Sequence, residues 1–321
     1  MSARRRNGLP FPWGSTRPWN DQSGYLKRLF GCRIQKLSVD AGFTCPNRDG
    51  SKGIGGCTFC NNKSFNPSYC GPGISVTDQL LKGMAFFSAN YPDSLYLAYF
   101  QAYTNTYAPQ ELLIPLYQEA LSLPGIAGLV IGTRPDCVDG PLLDYFAELS
   151  KSVYVSIEFG IESTNDLTLV RINRGHTYAD SVEAIEATAN RGIHTGGHLI
   201  IGLPGEDEQD FREHIHKINR LPVNMLKLHQ LQIIRGTVME KEFSDYPEDF
   251  IRYSADSYID LIISLLEMLR PDIVVERFAS VAPPELISTQ RWGLKNFELV
   301  ARLEKEMIKR DTWQGRLLTE D

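Results

Sequence analysis

Between Ile34 and Ile233 the chain repeatedly alternates short β-branched or aromatic runs with longer segments of helical spacing, and no other feature constrains the fold as tightly. The strand-like runs are Ile34 to Val39, Leu95 to Gln101, Ala127 to Ile131, Val153 to Phe159, Thr195 to Ile201 and Asn224 to Ile233. Helical spacing marks Pro109 to Leu121, Gly140 to Leu149, Tyr178 to Asn190 and Glu208 to Asn219, with turn signals such as Leu123-Pro124-Gly125 and Arg191-Gly192 between elements. Strands separated by helices pair in parallel, so the expected class is α/β. Six strands with no G-x-G-x-x-G or Walker motif after the first favour a partial (β/α)6-type TIM barrel over a doubly wound nucleotide fold. The expected organisation is a basic arm over 1–30, a barrel core over 31–237 and a C-terminal extension over 238–321 packed on the barrel.

Composition sets limits on partners. Of 321 residues, 42% are hydrophobic, enough for a sizeable core, and Lys+Arg 33 against Asp+Glu 39 gives a net charge of -6. That balance argues against a surface wholly given to nucleic acid, while Arg4, Arg5, Arg6, Arg17, Trp13 and Trp19 near the start suit either RNA contact or a loosely ordered arm. The Arg-rich start runs into Pro10, Pro12 and Trp13 rather than an apolar leader, so a cytoplasmic location is expected. The longest apolar stretch, Ile259 to Leu269, contains Asp260, Ser264 and Glu267 and is too short to cross a bilayer, so no membrane partner is expected.

Cys45, Cys57 and Cys60 follow the first strand in the stretch Cys45-PNRDGSKGIGG-Cys57-Thr58-Phe59-Cys60. A C-x2-C pair closes two thiolates on one metal centre, and the glycine-rich spacer lets a third return. Zinc and iron-sulfur both fit the spacing. In the zinc reading Cys70 supplies a fourth thiolate and closes a structural site; in the other, three ligands leave one iron open to an external group. The catalytic loops of a barrel collect at the carboxyl ends of its strands, where this loop lies.

Period-two alternation in the fourth strand places Val155, Ile157 and Phe159 toward the helices and Tyr154, Ser156 and Glu158 into the barrel. A buried carboxylate is costly without donors; a ribose diol or ammonium of a ligand would satisfy Glu158, as would a neighbouring Lys or Arg. Lys227 and His229 share a face of the sixth strand, and Arg134 and Asp136, closing the third, could reach the same rim or form an ion pair that holds their loop. Gly202 and Gly205 follow the fifth strand and allow close backbone approach.

With these motifs in place, the sequence resembles the radical S-adenosylmethionine (AdoMet) enzymes over roughly residues 34 to 237. Within that superfamily it is similar to a widespread bacterial group marked by Cys45-Pro46-Asn47-Arg48-Asp49-Gly50 and Gly132-Thr133-Arg134-Pro135-Asp136, and to the radical-AdoMet domain of the Elongator acetyltransferase, which acts on tRNA. The resemblance implies that Cys45, Cys57 and Cys60 ligate a [4Fe-4S] cluster whose open iron takes AdoMet. It also implies that Phe59 and Gly202 border the adenine, Glu158 contacts the ribose or methionine, and backbone after Gln232 completes the cofactor's hydrogen bonds. Reductive cleavage of AdoMet would give a 5′-deoxyadenosyl radical that takes hydrogen from a substrate, with an electron donor such as flavodoxin or ferredoxin and a tRNA base as the expected partners. Arg134, Asp136, Lys227 and His229 are the expected residues around that substrate. Two departures stand out: the first cysteine gap is eleven residues instead of three, and the usual Gly-Gly-Glu after the second strand is absent. Gln101, Thr104 or Asn105 would have to replace its contacts.

Overall fold

The structure is a computed structural model that describes residues 10–64, 66–88, 91–279, 282–289 and 291–318. Seven parallel strands form one sheet in the order β1 to β7: Ile34–Val39, Leu95–Phe100, Ile126–Thr133, Tyr154–Glu162, His194–Ile201, Met225–Gln230 and Val274–Arg277. Each neighbour is the next in sequence, the signature of a sheet curled into a half-barrel. The first six strands follow the sequence reading closely. The seventh comes from the segment read as an extension, and it pairs parallel to β6 through Met225 and Val274. Val274 and Val275 are buried and strand-forming, and the sixth strand would otherwise present an open edge.

The helices α2 (Val76–Ser88), α3 (Gln110–Leu121), α4 (Gly140–Leu149), α6 (Tyr178–Ala189) and α7 (Glu208–Asn219) cross over between strands and cover the outer face. The spacing of α3, α4, α6 and α7 is evident in the sequence; α2, and the short α5 (Asp166–Arg171) and α8 (Val238–Asp245), are not. Side-chain alternation divides the core. Tyr96, Ala98, Phe100, Val155, Ile157 and Phe159 belong to the large cluster beneath the helices. Leu97, Tyr99 and Val130 point inside, where Leu26 of helix α1 (Gln22–Phe30) plugs the lower end. Asp139, Thr177 and Asp207 cap α4, α6 and α7 through their side chains, fixing where each helix starts.

The amino-terminal segment departs from the arm expected by sequence. Arg4, Arg5 and Arg6 lie outside the described residues. Trp13 is buried and stacked on Phe11 with centroids 4.8 Å apart, and Trp19 is only 1% exposed, edge-on to Phe278. Both indoles are therefore core, not an RNA-facing surface. Val275 N–H donates to the Asn20 carbonyl at 2.7 Å, so this segment covers the outer edge of β7. Helices α9 (Ala255–Met268) and α10 (Asn296–Lys309) close that side, with the apolar stretch around Ile262 buried. Among the described residues no helix is long and apolar enough to cross a membrane.

Candidate active site

One cavity of about 270 Å³ opens at the carboxyl ends of the strands. Cys45, Cys57 and Cys60 line it together with Phe59, Gln101, Arg134, Glu158, Lys227, His229 and Gln232, so ten of the residues singled out by sequence meet around one cavity. Asp136 and Gly202 do not line it. Gly202 takes a φ of 98°, and a side chain there would contact Leu231, which does.

The cysteine loop is held from behind by the segment after α5. Thr58 N–H donates to the Ile172 carbonyl at 3.0 Å and the Asn173 amide donates to the Gly56 carbonyl at 2.8 Å. The Asn47 amide donates to the Asn173 carbonyl and also points at Cys57 Sγ, 3.7 Å away. Buried Arg174 donates from Nη1 to Cys57 Sγ at 3.5 Å and from Nη2 to the Gly160 carbonyl at 2.6 Å. Burial, with Cys57 and Cys45 close by, pushes the Cys60 thiol up to about 12. Cys70 is elsewhere: its thiol donates to the Ser38 carbonyl at 2.8 Å and it does not line the cavity. Among the described residues no three His, Cys, Asp or Glu side chains converge on a single-ion site.

Below the cysteines lies a buried ionic network. Glu158, 1% exposed, receives Lys36 and Lys227, each at 2.6 Å, and His198 at 3.1 Å. Glu276 takes the same two ammonium groups at 2.5 and 3.1 Å, and Lys227 also reaches the Tyr99 hydroxyl at 3.0 Å. Burial alone would raise the Glu158 pKa, but Lys227, Lys36 and His198 outweigh it and hold the carboxylate well below the usual range. Its demand for donors is thus met inside the protein. His229, tilted against His198 with ring centroids 5.4 Å apart, is driven well below its ordinary pKa by burial and by the neighbouring cations, so it is neutral at pH 7.

At the rim Arg134, 2% exposed, forms a two-pronged pair with Asp136 at 2.8 and 2.9 Å, and Lys52 joins at 2.6 Å. Burial opposes ionisation of Asp136; hydrogen bonds from Arg134 and Lys52 prevail and lower its pKa. Arg134 also donates to the Arg174 carbonyl at 2.8 Å, tying this pair to the segment behind the cysteines.

Two residues that line the cavity each keep a buried donor with no protein partner among the described residues, Thr104 Oγ1 and Arg174 Nε. Gln101 lines the cavity beside Thr104, whereas the Asn105 amide is spent on the Gly132 carbonyl at 2.9 Å. Sequence reasoning missed Arg174, Lys36, His198 and Glu276. The alternation that places Glu158 inside applies equally to Lys36 in β1, whose neighbours Leu37 and Val39 face the helices. Arg174 carries no such signal, because it sits in a loop after an unrecognised helix.

A half-barrel with three loop cysteines after its first strand is the layout of the radical AdoMet enzymes, and the sequence comparison agrees. Residues 45–218 match the Radical SAM superfamily and residues 223–309 the Radical SAM C-terminal domain; the chain belongs to this superfamily. It is 33% identical to YtqA of Bacillus subtilis over 312 residues, 96% of this chain and 95% of that one. It is 38% identical to YhcC of Escherichia coli K12 over 272 residues, 83% of this chain and 84% of that one. Among solved structures, Elp3 of Methanocaldococcus infernus superposes with a TM-score of 0.66 at 16% identity, covering 88% of this chain and 64% of that one, a likeness of fold.

Proposed function

We propose that this protein is a radical AdoMet enzyme that generates its radical in the cavity bounded by Cys45, Cys57 and Cys60. The observation that carries the reading is that these cysteines line one cavity with Thr104 and Arg174, each of which keeps a buried donor, Oγ1 and Nε, with no partner among the described residues. Those donors suit the carboxylate of a bound amino acid, and Cys45, Cys57 and Cys60 are the thiolates that would hold an iron-sulfur cluster. When bound, a [4Fe-4S] cluster supplies the electron that cleaves AdoMet reductively to a 5′-deoxyadenosyl radical. Phe59, Ile200, Leu231 and Ile234 give the cavity an apolar side suited to adenine. Thr104 and Gln101 stand where the superfamily's usual Gly-Gly-Glu is missing. Glu158, Lys36 and Lys227 hold the floor rigid, and neutral His229 neither adds charge nor donates a proton from an imidazolium.

Anaerobic reconstitution should yield iron and acid-labile sulfide, and reduction with AdoMet should release 5′-deoxyadenosine. Alanine at Cys45, Cys57 or Cys60 should abolish both, while Cys70→Ala should not. Stoichiometric zinc without iron refutes the reading.

A tRNA base is the proposed substrate, supported by the likeness to the Elongator domain and by Arg48 and Arg277 on the cavity wall. Trp13 and Trp19, being buried, lend it nothing. Modified nucleosides in tRNA from cells with and without the gene decide the matter. Identical profiles, with no salt-dependent binding of tRNA to the pure protein, point instead to a metabolite or protein substrate.

A further inference from the structure

We infer that Arg174 and Asn47 set the one-electron reduction potential of the cluster by donating N–H groups to the sulfur of Cys57. The inference rests on the proposed function, in which Cys57 is a cluster ligand. Both donors are buried and stand at 3.5 and 3.7 Å from the sulfur. Cluster potentials respond to hydrogen bonds to sulfur, to local charge and to solvent exposure, and all three act here at one ligand. A guanidinium beside the thiolate favours the reduced, more negative form of the cluster. It therefore raises the potential and eases reduction by an external one-electron donor.

Three glycines show that this placement is built in. A side chain at Gly160 would put its Cβ 2.6 Å from Arg174 Nη2. One at Gly175 would stand 3.0 Å from Asn47 Oδ1, and one at Gly53 would run into the same oxygen. Backbone contacts fix the two donors as well: Asn47 through the Asn173 carbonyl, Arg174 through that of Gly160. Arg134, by donating to the Arg174 carbonyl, locks the segment from a third direction. Neither donor is among the superfamily's expected ligands, and neither supplies a thiolate.

The test is a redox titration followed by electron paramagnetic resonance on anaerobically reconstituted full-length protein, with iron and sulfide measured first. Arg174→Gln should keep the iron content and move the midpoint to more negative potential by at least a tenfold change in the one-electron equilibrium, about 59 mV. Arg174→Lys, which keeps the charge but not the geometry, should fall between that variant and the wild type. Asn47→Ser should shift less, in the same direction. Retained iron with wild-type midpoints in these variants overturns the inference and leaves the proposed function standing; wild-type protein that takes up no iron overturns the proposed function itself. If none of the variants retains iron, the two residues hold the loop together and do not tune it, and the inference is again refuted.

Discussion

Replacing Glu158 by Gln isolates the buried network. Gln keeps the shape of the side chain but removes the charge that Lys36 and Lys227 share with Glu276. Breaking a buried pair by removing one partner costs about 3–5 kcal/mol, because a charge is left without compensation. Here Glu276 still holds both ammonium groups at 2.5 and 3.1 Å, so the lower end, about 3 kcal/mol, applies. Urea unfolding followed by tryptophan fluorescence, on samples of equal iron content, measures it. The pH dependence has a definite sign. The folded-state pKa of Glu158 is depressed, so its stabilisation is complete above the unfolded value of 4.5 and is lost as pH falls through the folded one. The gap between wild type and variant should therefore close in acid. In a Lys227→Met background the cost of Glu158→Gln should shrink, with a coupling of about 0.5–3 kcal/mol. A variant within about 0.5 kcal/mol of wild type that binds AdoMet tenfold more weakly would refute this reasoning and return Glu158 to direct cofactor contact.

Further outcomes follow from burial. Trp19→Ala should lower stability by about 3–5 kcal/mol in the same urea assay, the usual cost of emptying a buried aromatic site. His176 is pushed down to about 3 by burial and by Arg174, so it is neutral when folded and protonates on unfolding. Stability should fall as pH drops below 6.5, by up to about 1.4 kcal/mol per pH unit from this group, and His176→Asn should flatten that slope. In Gly128→Ala the new Cβ meets the Tyr154 carbonyl and lies 2.8 Å from its Cβ, which should loosen the pairing of β3 with β4 and cost about 1–3 kcal/mol by thermal unfolding.

What the sequence disclosed follows from how each signal is encoded. Strand periodicity and helix spacing are local, so β1 to β6 and α3, α4, α6 and α7 are legible, as is the convergence of the cysteines with Glu158, Lys227 and His229. The partners of Glu158 are not local: Lys36 lies 122 residues away, and nothing in either strand says that the two meet. Alternation gives the direction of a side chain but not its neighbour. The short strand β7 is rich in valine, yet its place in the sheet depends on pairing with distant parts of the chain. Trp13 and Trp19 misled for the opposite reason, since aromatic residues among prolines and arginines give the same composition whether they dock or dangle.

The edge of β7 also bears on the order in which the chain assembles. Asn20 N–H donates to the Gln314 side chain at 2.9 Å, and Gln314 in turn donates to the carbonyls of Arg270 and Ile273. Its backbone N–H reaches the Pro18 carbonyl at 2.9 Å. The segment around Asn20 is thus completed by a residue 294 positions further along the chain. Until Gln314 is made, the hydrogen bonds that hold Pro18 and Asn20 on either side of Trp19 are incomplete. Contacts so distant in sequence form slowly, and surface left uncovered meanwhile is open to aggregation. The segment around Trp19 is thus a vulnerable part of the emerging chain until partners so distant in sequence arrive to cover it.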